Sequence, residues 1–104
     1  MEGKISNQKA RDTYLNLLKE CKDEYANQYG VTRIGIFGSV ARDEHNENSD
    51  LDICVETPPM GLLMFSSLCI SLEELLGVTV DIVRMHKNMN PRFRKRIEKD
   101  IIYV

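Results

Sequence analysis

The sequence predicts an α/β domain built on a small mixed β-sheet with helices packed on one face. Short runs rich in β-branched residues begin at Val31, Asp50, Val78 and Ile101, and segments with apolar residues at helical spacing alternate with them. Glycine or proline marks most of the junctions. A chain of 104 residues is long enough for one core around such a sheet, so a single domain over residues 1–104 is expected.

Residues from about Ser6 to Tyr29 predict the first helix, because Tyr14, Leu18, Cys21 and Tyr25 recur on one face and Gly30 offers a stop. Val31 to Phe37 follows as the first strand, and Gly38-Ser39 ends it and opens a short helical turn through Arg42. The polar run Asp43–Asn48 reads as a loop, with His45 as a solvated histidine that pairs with nothing. Asp50 to Glu56 predicts the second strand, which Pro58 and Pro59 terminate because proline cannot donate to a ladder. Gly61 to Leu76 predicts a helix apolar on so many sides that it should be largely buried, with Met60 and Met64 as core filler. Val78 to Met85 is the third strand. Asn90-Pro91 opens a last helix to about Lys99 with asparagine as cap and proline in the first turn, and Ile101–Val104 forms the final strand.

Composition narrows the function classes. A net charge of −2 gives no general argument for a nucleic-acid or membrane partner. The three cysteines, Cys21, Cys54 and Cys69, are odd in number and not clustered, as expected of reduced thiols in a cytoplasmic protein. No signal peptide and no run long enough to span a bilayer is visible. The basic last helix, with Arg92, Arg94, Lys95, Arg96 and Lys99, reads first as a solvated face; an acidic partner, a nucleotide phosphate or RNA are its other readings.

The chemistry concentrates between Ile34 and Glu56. Asp50 and Asp52, two residues apart on a strand, point to one face while Leu51, Ile53 and Val55 point to the other. Two adjacent carboxylates repel unless a cation sits between them. Asp81 interrupts a β-branched run where an acidic side chain needs exposure, a partner or a metal. If the second and third strands are neighbours, the three carboxylates share a face. They could then hold Mg²⁺ or Mn²⁺ for in-line phosphoryl or nucleotidyl transfer. Gly38 and Ser39 provide a turn that a phosphate can approach closely, and Arg42 lies one helical turn on.

Gly38-Ser39-Val40-Ala41-Arg42, then Ser49-Asp50-Leu51-Asp52, then Asp81 in a later strand resembles the DNA polymerase β-like nucleotidyltransferase superfamily, and the chain is similar to its minimal nucleotidyltransferases, the MNT-domain proteins. The ending NPRFRKRIEKDIIYV extends the resemblance over nearly all of the chain after the first helix. The resemblance implies the polymerase β-like fold, Asp50, Asp52 and Asp81 as catalytic metal ligands, Gly38 and Ser39 as triphosphate contacts, and ATP or another NTP as substrate. It also implies a helical HEPN-type partner, with this chain as the antitoxin of a toxin–antitoxin pair, some members of which transfer AMP to a tyrosine of the toxin. One departure stands out: the family usually has Gly after the Arg, and here the residue is Asp43. Its carboxylate either lies near the phosphates, where it would weaken nucleotide binding, or points away from them. Three readings compete: an active enzyme that modifies a partner protein, a silent protein of the same fold that neutralises its partner by binding, and a transferase for a small molecule such as an antibiotic. The sequence is compatible with a homo-oligomer and does not define one.

Overall fold

The computed structural model describes residues 7–44 and 50–104, so the expectations for His45 and Ser49 lie outside the described residues. The elements are α1 (Asn7–Tyr29), β1 (Arg33–Phe37), α2 (Gly38–Ala41), β2 (Leu51–Glu56), α3 (Leu62–Leu76), β3 (Val80–Met85), α4 (Pro91–Asp100) and β4 (Ile102–Tyr103). The strands form one sheet in the order β3-β2-β1-β4. β1 is antiparallel to β2 and to β4, whereas β2 and β3 are parallel and joined through α3. The expected mixed sheet is therefore present, including the β2–β3 adjacency on which convergence of the carboxylates depends.

Strand alternation divides the core. Ile34, Ile36, Leu51, Ile53 and Val55 point to one face, where Leu18 and Tyr25 of α1 and Leu68 and Leu72 of α3 cover them. Cys54 and Met85 point to the other face and meet Ile97 of α4, with Phe37, Val83 and Tyr103 around them. α1 and α3 share one face, as expected of the helices, whereas α4 departs from that expectation and packs on the opposite face, where Ile97 meets Cys54 and Met85. Hydrogen bonds tie α1 to α3: the Tyr25 and Tyr29 hydroxyls pair with Ser71 Oγ at 3.1 Å and Ser67 Oγ at 3.0 Å. Burial pushes the Cys54 thiol up to about 12, which makes it a packing residue and a poor nucleophile.

Local signals set the ends of the elements. The Asn90 side chain accepts from Arg92 N at 2.8 Å and Phe93 N at 3.3 Å, and Pro91 follows it, as expected for the start of α4. Gly77 closes α3 in the left-handed conformation. β3 begins at Val80 and not at Val78, opposite Leu51 where β2 begins; Val80 N, on the outer edge of the sheet, donates to the Glu73 carboxylate of α3 at 3.1 Å.

The expected burial of α3 is corrected. Leu68, Leu72 and Leu76 are buried, but Leu62, Leu63 and Ile70 are 79%, 87% and 56% exposed, and Met64 is exposed too instead of filling the core. A helix on a sheet buries only the stripe that recurs every three or four residues. Leu68, Leu72 and Leu76 form that stripe, and no described residue covers the opposite side.

Candidate active site

The site grows out of the junction of β1 and α2. Phe37 ends β1 directly opposite Asp52 of β2. Gly38 then takes a left-handed φ of 74°, turning the chain sharply into α2. This residue has two reasons to be glycine: the φ value, and the fact that a Cβ here would collide with the Asp52 carboxylate. The Gly-Ser turn and the first carboxylate are thus held against each other by the backbone.

Asp81 is the register partner of Asp52 across the parallel β2–β3 pair, so the two side chains share a face. Asp50 lies just before β2, where Leu51 N already bonds to Thr79 O at 3.1 Å. Burial first, then the charges of Asp81 and Asp50, push the Asp52 carboxyl above its usual range, and Arg42 pulls it partly back. Asp52 and Asp81 thus share a face, and the charge of Asp50 reaches Asp52 from just before the strand. As the side chains stand they are not drawn into a ready cage: among the described residues, no three His, Cys, Asp or Glu side chains are gathered to hold a metal. Asp50 and Asp81 are exposed, and Asp52 is half-buried. Hard carboxylate oxygens that repel one another at a half-buried point fit a divalent cation such as Mg²⁺.

A cavity of about 310 Å³ opens beside Asp52, walled by Gly38, Ser39 and Arg42 on one side and by Phe93 and Arg96 of α4 on the other. Gly38, Ser39 and Arg42 come together there as expected. The Arg42 guanidinium is already engaged, bonding Asp100 Oδ2 at 2.7 Å and Glu44 Oε1 at 3.0 Å. Asp50 and Asp81 lie outside the cavity lining. Sequence reasoning reads α4 first as a solvated basic face, with a nucleotide phosphate among its other readings, and does not single out Phe93 or Arg96 as wall residues. Their three-residue spacing puts them on the same helical side, and with Asn90-Pro91 fixing the helix start, that spacing was the available signal.

Asp43 does not face the cavity. It has a φ of 60°, left-handed backbone that suits glycine and that aspartate tolerates better than most residues. Its carboxylate pairs with Arg11 of α1 at 3.2 Å, and the same Arg11 Nη1 donates to Ala41 O at 3.3 Å. Arg11 thereby fastens the end of α2 to α1. Asp43→Gly should remove the ion pair and relieve the backbone strain, two opposing effects of about 1 kcal/mol or less each. Nucleotide affinity of this variant, measured by titration calorimetry, is expected to match that of the parent; a clear tightening would mean that Asp43 reaches the phosphates.

A model of the nucleotidyltransferase domain family matches residues 16–104. The chain belongs to that family. It is a nucleotidyltransferase, as its sequence resemblance implied. It is 38% identical to the protein adenylyltransferase MntA of Thermococcus cleftensis, over 86% of this chain and 90% of that protein. A solved structure provisionally named a minimal nucleotidyltransferase is 34% identical, with a TM-score of 0.69, and the match covers 97% of this chain and 98% of the other. The fold also matches a chain in the complex of a tri-AMPylated Shewanella oneidensis HEPN toxin with its MNT antitoxin, at a TM-score of 0.57 and 18% identity, covering 93% of this chain and 70% of that one. No helix among the described residues is long and apolar enough to cross a membrane.

Proposed function

We propose that this nucleotidyltransferase moves AMP from ATP to a hydroxyl of a helical, HEPN-type partner protein and so serves as the antitoxin of a toxin–antitoxin pair in the cytoplasm, working as the single domain of residues 1–104. The observation that carries the reading is the pairing of Asp52 with Asp81 across β2 and β3, against the Gly38 turn. The identity to a protein adenylyltransferase supports a protein acceptor, and the likeness of fold to an MNT antitoxin bound to its HEPN toxin supports the class of partner.

In this reading Asp50, Asp52 and Asp81 hold Mg²⁺ or Mn²⁺, and Gly38, Ser39 and Arg42 hold the triphosphate. Bound divalent cations would lower the pKa of the acceptor hydroxyl and neutralise charge on the departing pyrophosphate. The Gly38 turn, lacking a side chain, lets the phosphates lie against backbone, and the Ser39 hydroxyl donates to one of their oxygens. Arg42 exchanges Asp100 or Glu44 for phosphate as the nucleotide enters. The acceptor hydroxyl releases its proton, its oxygen bonds to the α-phosphorus, the bond to the bridging oxygen breaks, and pyrophosphate leaves. Docking of the partner over the exposed Asp50 and Asp81 excludes water, so that transfer outruns hydrolysis.

The silent, binding-only reading draws on one observation of its own, the Arg42 guanidinium satisfied by Asp100 and Glu44 without any ligand. Co-purifying the chain with its partner, adding ATP and Mg²⁺, and weighing the partner by mass spectrometry separates the two. A gain of one AMP mass or more on a tyrosine, serine or threonine is expected. An unmodified partner whose toxicity is nonetheless suppressed would replace the enzyme reading with the binding-only one.

A further inference from the structure

The outer face of α3 has no role in the nucleotidyl-transfer site. From Leu62 to Leu72 the sequence LLMFSSLCISL carries no charge, although the helix has a fully solvent-facing side. Single exposed leucines are ordinary. Here Leu63 and Ile70, seven residues apart and so on one side of the helix, are both more exposed than buried, with Leu62 beside them and Ser66 between them. Small residues between large apolar ones are what a second helix needs to approach closely.

We infer that this face of α3 pairs with α3 of a second copy of the same chain, antiparallel, about a two-fold axis near Ser66. The pattern is complementary to itself under that symmetry. Antiparallel pairing centred there sets Leu63 of each copy against Ile70 of the other, and the serines occupy the crossing. Charge agrees with the pairing. α3 starts at Gly61 with no side-chain cap, leaving backbone N–H groups at its positive end without an acceptor from a capping side chain. Glu74, exposed one turn beyond Ile70, is carried by the two-fold toward that end of the neighbouring copy.

The arrangement leaves the chemistry open. The inner side of α3 covers the sheet face of Ile53, whereas Asp52 and the cavity belong to the opposite face. A dimer through α3 therefore carries two cavities facing away from each other, each free to receive its own acceptor. A contact confined to one helix pair is small, at the low end of specific interfaces (about 1,200 Å² in total or less), so a dimer that comes apart on dilution is expected.

Sedimentation velocity over a range of protein concentrations tests the pairing in the full chain. The parent should pass from monomer to dimer, and Leu63→Glu and Ile70→Glu should each weaken dimerisation at least tenfold while melting within a few degrees of the parent, since both positions are exposed. Ser66→Cys should form an intermolecular disulfide on mild oxidation, and the parent, with its own three cysteines, should not. A parent that stays monomeric to several hundred micromolar overturns the inference. So does a dimer indifferent to both substitutions, which would place the contact elsewhere, and so does a monomer whose α3 variants lose binding to the acceptor protein, which would make that protein the occupant. None of these readouts depends on nucleotidyl transfer.

Discussion

Asp52→Asn is expected to lose at least a hundredfold in transfer rate while melting at the same temperature as the parent, or slightly above it. The carboxamide keeps the shape and removes the charge. In the metal-free protein that charge is a liability, because Asp52 is half-buried and faces Asp81 and Asp50, all of one sign. Removing it relieves repulsion, so thermal unfolding without metal should show no loss of stability. A site that needs the carboxylate to hold a cation loses its chemistry even so, and a drop of a hundredfold or more corresponds to about 2.7 kcal/mol or more of transition-state stabilisation. Opposite movements in activity and stability mark a group kept for function. If Asp52→Asn retains full activity at saturating Mg²⁺, the proposed ligand set is wrong. If it melts well below the parent, Asp52 serves the fold.

Gly38→Ala should be nearly as damaging to activity, and a second glycine supplies the control. Gly38 and Gly77 have almost the same left-handed φ, 74° and 71°. Alanine at either position therefore costs a similar strain, about 1–2 kcal/mol. The surroundings differ: a Cβ at Gly77 meets nothing within 4 Å, whereas one at Gly38 collides with the Asp52 carboxylate. Gly77→Ala should thus lower the unfolding free energy and leave transfer intact. Gly38→Ala should lower stability somewhat more and also push Asp52 off its line with Asp81, taking most of the activity with it. Measuring denaturant unfolding and transfer rate on both variants separates strain from displacement. Equal activities for the two would mean that Asp52 needs no fixed position against the turn.

Much of this was legible in the order of residues, for reasons that can be named. Asp52 and Asp81 could be placed together because strand alternation and a single adjacency suffice to align them, and β2 and β3 supply both. The start of α4 was readable because Asn90-Pro91 is a local signal that needs no tertiary information. α3 was misjudged for the opposite reason. Its apolar content is high all round, and composition cannot say which side meets the sheet. For α4 the sequence leaves a solvated face, an acidic partner, a nucleotide phosphate and RNA all open, because the neighbour that Phe93 and Arg96 meet across the cavity, Gly38-Ser39, is more than fifty residues away in the chain. Asp43 was left open for a similar reason: Arg11, which holds it, sits on α1 with no sequence mark to single it out.

The cavity beside Asp52 is stitched from residues 37–42, residue 52 and residues 93–100. No short stretch of the chain contains more than a fragment of it. Its floor depends on β1 pairing with β2, and its far wall on α4 coming to rest across segments distant in sequence. Closing loops of that length costs entropy that the contacts across the cavity must offset. In the proposed function, a nucleotide bound in this cavity opposes every excursion that lifts α4 away, by about 2.7 kcal/mol at a hundredfold excess over its dissociation constant. The ligand would then act as a structural tie between α4 and the β1–β2 pair.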